Sequence, residues 1–305
     1  MKVAILGTGA LGTYYGTRLA REGADVYFLA RSNYETICKE GLRLLSDEGD
    51  IFLPHPNVYN HPRECGSMDL IIVSWKSFLN HQLEKCLPYL LKEDTLLFTL
   101  QNGMGNAETI ARFAPQENVS VALCYASCIP VSPAVVRHIG GNDTRFAPLV
   151  NTPAGLAHAQ RLADLFARTG IRTTVFEEAE GMLWRKLLLN IPYNGVSVAL
   201  GGLSSNQLAE APGAVERMRG VMEEVFHTAE LRGFPLPPES IKKEMTRIRK
   251  MGDFIPSSGQ DLLRGRPIEY DSIWEIPLQK ALEIGADVPL WRQLCVDIRK
   301  RIGRD

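Results

Sequence analysis

Four apolar residues, Val3-Ala4-Ile5-Leu6, run without a break into Gly7-Thr8-Gly9-Ala10-Leu11-Gly12, and the next stretch, Thr13-Tyr14-Tyr15-Gly16-Thr17-Arg18-Leu19-Ala20, reads as a helix. A buried strand, a tight glycine turn and a helix start, in that order, are compatible with few folds. The spacing lets the chain turn sharply at Gly7, lets a ligand approach the backbone at Gly9, and lets helix pack closely on strand at Gly12. The unpaired N–H groups of the first helical turn, at the positive end of the helix dipole, then suit a diphosphate. Gly7, Thr8, Gly9, Ala10, Leu11 and Gly12 are therefore candidate dinucleotide contacts.

The following strand indicates which dinucleotide. Gly23-Ala24 stops the helix, and Asp25-Val26-Tyr27-Phe28-Leu29-Ala30 has strand character. A site for NAD would carry a carboxylate at the end of that strand to bond the ribose 2′-hydroxyl. Arg31 stands there instead, followed by Ser32 and Asn33. A guanidinium suits a 2′-phosphate that a carboxylate would repel, so the expected cofactor is NADP(H).

Further apolar runs at 69–74 and 95–100 read as buried parallel strands with a helical 79–91 segment between them, and 119–124 as another strand. Segments 134–139 and 144–150 suggest a hairpin across Gly140-Gly141-Asn142. A helix over 154–169 ends at Gly170, before a last strand over 172–176. Strands alternating with helices predict an α/β, Rossmann-type doubly wound sheet. From 177 onward helical periodicity replaces strand signals. Met218, Val221, Met222, Val225, Phe226 and Ala229 form an apolar core stripe, and helices fit 240–250, 269–284 and 290–302. The expected organisation is an NADP-binding domain over 1–178 and an all-α substrate and catalytic domain over 179–305. The loop 252–259, with Pro256 and two serines, is the expected mobile element.

Charge narrows the partners. Lys plus Arg total 34 against 35 Asp plus Glu, which gives no basic field to attract nucleic acid or an anionic membrane. No stretch has the length of a transmembrane helix, and no secretory leader pattern opens the chain, so a cytoplasmic location is expected. The six cysteines are scattered without a disulfide framework. Cys124 and Cys128, the one close pair, lack His or Cys partners at ligand spacing, so no metal is expected.

The reaction needs its own argument. Lys186, Asn190 and Asn194, at i, i+4 and i+8, share one face of an otherwise apolar helix containing Leu187, Leu188, Leu189 and Ile191. Lysine is rarely buried without a partner or a task. Pro192 removes the N–H that would bond the Leu188 carbonyl and kinks the helix; this either re-aims Asn194 or leaves that carbonyl free for water or a ligand.

These features resemble the ketopantoate reductase family over essentially the whole length. The resemblance rests on the glycine turn, Lys76 after the third strand, Gln101-Asn102-Gly103-Met104-Gly105, Trp184-Arg185-Lys186 with Asn190 and Asn194, Ser257-Ser258-Gly259-Gln260-Asp261, and Gly265-Arg266-Pro267-Ile268-Glu269-Tyr270-Asp271. It implies NADPH-dependent reduction of 2-dehydropantoate, or a closely related 2-keto acid, to the (R)-2-hydroxy acid in pantothenate biosynthesis. Lys186 would be the general acid, and Glu269 would keep it charged and oriented while reaching the cofactor ribose. Asn190, Asn194 and Ser257 would bind the substrate, with Lys76 and Asn102 at the nicotinamide end of the cofactor. A homodimer is left open. The chain departs from the family at Trp274-Glu275, where Asn-Gly is usual, at 124–128, and at the displaced Ser205-Asn206-Gln207-Leu208. Two other readings fit less well. A β-hydroxyacid dehydrogenase would carry glycines before the lysine, and an NADPH-sensing protein would not need Lys186, Asn190, Asn194 and Glu269 together.

Overall fold

The computed structural model describes residues 1–304. Its strands are β1 (Lys2–Leu6), β2 (Asp25–Leu29), β3 (Leu42–Ser46), β4 (Ile51–Leu53), β5 (Asn57–Tyr59), β6 (Leu70–Val73), β7 (Leu96–Thr99), β8 (Val119–Cys124), β9 (Ser127–Ser132), β10 (Val135–Gly140), β11 (Asp143–Pro148) and β12 (Arg172–Val175). The first five helices are α1 (Ala10–Arg21), α2 (Tyr34–Glu40), α3 (Leu83–Leu90), α4 (Asn106–Ile110) and α5 (Pro153–Arg168). The remainder are α6 (Ala179–Leu189), α7 (Gly195–Ala199), α8 (Ser205–Glu210), α9 (Ala214–Leu231), α10 (Ser240–Arg249), α11 (Ser257–Leu263), α12 (Ile276–Glu283) and α13 (Pro289–Ile302). Two compact units result: Met1–Gln101 with Asn106–Ala179, and Asn102–Gly105 with Glu180–Asp305.

The first unit holds an eight-stranded sheet ordered β12-β11-β8-β7-β6-β1-β2-β5. Strands β8, β7, β6, β1, β2 and β5 run parallel, and β11 joins β8 antiparallel. Strands β6, β7 and β8 are buried throughout, which is why they read as unbroken apolar runs. Phe98, Phe146 and Phe166 pack around one another, with Tyr15 from α1 edge-on to Phe166 at 5.3 Å. Each such burial contributes roughly 1.5–3 kcal/mol.

A second sheet of four strands, ordered β4-β3-β10-β9, was not foreseen, and α1 packs against both sheets. The expected hairpin between 134–139 and 144–150 does not form. β10 pairs antiparallel with β9 and parallel with β3, whereas β11 pairs with β8 and β12. Gly140-Gly141 is a crossover between sheets, not a hairpin turn. A Cβ at Gly141 would lie 2.0 Å from the Tyr125 carbonyl, and Tyr125 N–H already donates to Asp143, so β11 starts on the edge of β8.

The second unit is helical apart from its short 102–105 segment. Trp184 and Trp291, both fully buried, meet edge-to-face in its core at 6.4 Å. The loop after α10, the expected mobile element, is hydrogen-bonded to the helices beside it. Ser205 N–H and the Tyr193 hydroxyl donate to the Phe254 carbonyl at 3.0 and 3.1 Å, and Asn206 N–H donates to Gly252 at 3.0 Å. Among the described residues no helix is long and apolar enough to cross a membrane, and no cluster of His, Cys, Asp and Glu could hold a metal ion.

Candidate active site

In the first unit the glycine turn is built by what its positions exclude. Gly7 has φ +106°, and a Cβ there would lie 2.8 Å from Trp75 N. A Cβ at Gly12 would lie 1.9 Å from the Gly7 carbonyl and 2.7 Å from Ser74 Oγ, whose hydroxyl donates to that same carbonyl at 2.8 Å. Gly9 is the opposite case, because a Cβ there would meet no atom within 4 Å. Gly9 opens α1 with no side-chain cap, and no acidic residue occupies the first turn. The first-turn N–H groups, which have no acceptor within the helix, therefore face space that a side chain would fill. The turn fits a dinucleotide diphosphate.

Two supports escaped the sequence reading. Thr8 donates through its hydroxyl to Asn33 Oδ1 at 2.8 Å, and Asn33 Nδ2 returns a bond to the Thr8 carbonyl at 3.0 Å and another to Pro133 at 3.2 Å. Asn33 thereby fixes the loop that carries Arg31, which is exposed two residues past β2. At the ends of β6 and β7, Gln101 Nε2 donates to the Trp75 carbonyl at 3.0 Å and to Asn80 Oδ1 at 2.7 Å. Trp75 Nε1 also donates to Asn80 Oδ1, and Asn80 Nδ2 donates to Asn106. This amide network holds the strand-end loop in which half-buried Lys76 sits.

In the second unit α6 and α7 form one helical run interrupted by a π-turn, Asn190–Asn194. Pro192 sits inside that turn. The chain accommodates its missing N–H by taking one extra residue per turn instead of a sharp kink. Lys186 and Asn190 are half-buried, and Asn194 is 5% exposed. Ser258 N–H donates to Asn194 Oδ1 at 3.1 Å, and the exposed Ser257 hydroxyl does so at 3.4 Å. The amide oxygen is thus taken up by the start of α11, which turns the NH2 end of Asn194 into the available donor.

Glu269 is 5% exposed and lies two residues before a second π-turn, Asp271–Glu275. Met104 N–H donates to the Ser272 carbonyl at 2.8 Å, and a Cβ at Gly103, where φ is +85°, would lie 2.0 Å from that oxygen. The structure therefore joins Asn194 to Ser257, and the loop containing Asn102 to the π-turn that follows Glu269. It also reveals a clamp on α6 that the sequence did not signal. Glu180 accepts from Arg232 Nε at 2.6 Å, Trp184 Nε1 at 3.2 Å and Lys280 Nζ at 3.4 Å. Burial pushes its carboxyl up, but the Arg232 hydrogen bond and the Lys280 charge outweigh burial and hold it below the usual carboxylate range.

A doubly wound sheet with an open glycine turn, followed by a helical unit bearing a lysine and two amides on one helix, defines the class: an oxidoreductase that acts on a CH–OH group with a nicotinamide cofactor. The chain belongs to the ketopantoate reductase family. The profile "Ketopantoate reductase PanE/ApbA" matches residues 3–151, and its C-terminal counterpart matches 178–301. The 2-dehydropantoate 2-reductase of Nostoc sp. is 34% identical over 99% of this chain and 97% of its own. The crystal structure of 2-dehydropantoate 2-reductase from Geobacter metallireducens superposes with a TM-score of 0.93 at 31% identity, covering 98% of this chain and 99% of that one. The PanE/ApbA family ketopantoate reductase from Ralstonia eutropha gives 0.88 at 31%, with 99% of each chain covered.

Proposed function

We propose that this protein reduces 2-dehydropantoate, or a closely related 2-keto acid, to the (R)-2-hydroxy acid with NADPH, as a cytoplasmic step towards pantothenate. The observation that carries the reading is the orientation of Asn194. Its oxygen is occupied by Ser258 N–H, so it offers N–H to an acceptor such as a carboxylate or keto oxygen. Asn190 lies on the same helical run, and Ser257 beside Asn194 gives a third hydrogen-bonding group for the acid.

Bound NADPH supplies the hydride that reaches the keto carbon. The ammonium of Lys186 gives a proton to the keto oxygen and stabilises the negative charge that develops there, so that C=O becomes CH–OH. Glu269 keeps that amine charged and oriented and bonds a cofactor ribose hydroxyl. The glycine turn, residues 7–12, holds the diphosphate. Arg31 pairs with the 2′-phosphate, and Lys76 and Asn102 serve the nicotinamide end.

The test is NADPH consumption by the purified enzyme across a panel of small 2-keto acids. Turnover of ketopantoate or a near relative is expected, with NADPH preferred over NADH. Tight NADPH binding without turnover of any 2-keto acid would overturn the proposal.

A further inference from the structure

The two π-turns are joined by one hydrogen bond. Trp274, in the turn Asp271–Glu275, donates its indole N–H to the carbonyl of Ile191, in the turn Asn190–Asn194, at 2.9 Å. The indole is fully buried and stacks on Tyr270 at 6.2 Å. Its donor end lies so close to the helix that a Cβ at Gly195 would be 2.8 Å from Nε1. The backbone at Gly195 is ordinary helix, φ −65° and ψ −49°, so packing alone requires a glycine there, against Leu294 Cδ2 at 2.7 Å as well as against the indole.

A π-turn carries one extra residue, and every side chain after it is rotated relative to those before it. Lys186 precedes the turn at Asn190–Asn194, Asn190 opens it and Asn194 closes it. Glu269 lies five residues before Trp274, on the same segment. We infer that Trp274 is a positioning residue: its indole N–H on the Ile191 carbonyl sets the rotation at which Asn190 and Asn194 are presented relative to Lys186. This rests on the keto-acid reductase reading for the roles of those three residues. The observed bond does not depend on that reading.

Trp274→Phe keeps an aromatic ring, though a smaller one, and removes the donor. Expected are a rise of about tenfold in KM for the keto acid and a comparable fall in kcat, while the Kd for NADPH measured without substrate stays within about twofold. A purely structural role would lower Tm and the NADPH-binding fraction but leave KM and kcat per binding site unchanged, and that result overturns the inference. Gly195→Ala keeps the donor and crowds it along with Leu294, and the same pattern is expected. If neither variant folds, Trp274 is a core residue only and the inference fails. The side-chain amide resonances of Asn190 and Asn194 report the same displacement without turnover. They are expected to shift in Trp274→Phe, and unmoved resonances overturn the inference. A wild-type enzyme that is idle on every 2-keto acid would remove the function reading alone.

Discussion

At the start of α1 the chain makes a candidate binding surface by leaving side chains out, whereas on the α6–α7 run it makes one by adding polar side chains to an apolar helix. In the first region the constraint falls on the backbone itself. Gly7 and Gly12 are fixed by backbone atoms of Trp75 and by each other, and Gly9 stays open. In the second the constraint is remote. Asn194 is turned by Ser258, the π-turn is held by Trp274, and α6 is anchored by Arg232 and Lys280 through Glu180. A backbone site is specified by the residues that form it, and a side-chain site by whatever fixes the register of its helix.

Substitutions that separate these two kinds of constraint follow in order of expected effect. Gly12→Ala drives a methyl into the Gly7 carbonyl and should cost about 3 kcal/mol or more in denaturant unfolding, with loss of NADPH binding. Gly9→Ala meets no neighbour and should leave stability within about 1 kcal/mol. It should still weaken NADPH at least about tenfold in a fluorescence titration, because the methyl enters space needed by the diphosphate. Equal stability losses in the two variants would break the distinction between packed and open glycines.

In the second unit, Glu180→Gln should destabilise by about 1–3 kcal/mol at neutral pH, since it removes the partner of Arg232 and Lys280, whose side chains are 20% and 23% exposed. The folded-state carboxyl sits below its unfolded value, so this stabilisation is fully present above the unfolded pKa of about 4.3 and is lost as pH falls through the lower folded value. Urea unfolding of both proteins should therefore show a gap at pH 7 that closes under acid. A gap independent of pH would assign the effect to packing. Smallest is Arg31→Ala, a loss of about tenfold in NADPH affinity with NADH affinity unchanged, read by competition titration. Parallel losses for both nucleotides would remove Arg31 from 2′-phosphate recognition.

Legibility in the sequence follows the same division. Strands β1, β2, β6, β7 and β8 and the turn into α1 announce themselves, because continuous apolar runs and glycine spacing are local signals. The second sheet does not. β3 and β10 pair in parallel across some ninety residues, and nothing near Val135 signals Arg43 as its partner. Gly140-Gly141 resembles a hairpin turn, and only the prior claim of β8 on β11 rules the hairpin out. Lys186, Asn190 and Asn194 stand out by spacing, and Pro192 marks a disturbance. The outcome of that disturbance, a π-turn, goes with a donor from Trp274, 83 residues away. Asn33 and the Gln101–Asn80 network went unnoticed for a related reason. Amides do their positioning work through long-range pairs, and a lone Asn or Gln in a sequence carries no mark of its partner.

Lys186 is the residue on which the proposed chemistry most directly depends. Turnover of a 2-keto acid by Lys186→Ala, measured beside NADPH binding by the same protein, isolates the proton donor from the nucleotide site. The expected result is a fall in kcat of about 10²–10⁴-fold with the NADPH Kd within about twofold of wild type. Undiminished kcat in the folded, NADPH-binding variant would contradict the assignment of the lysine as the acid.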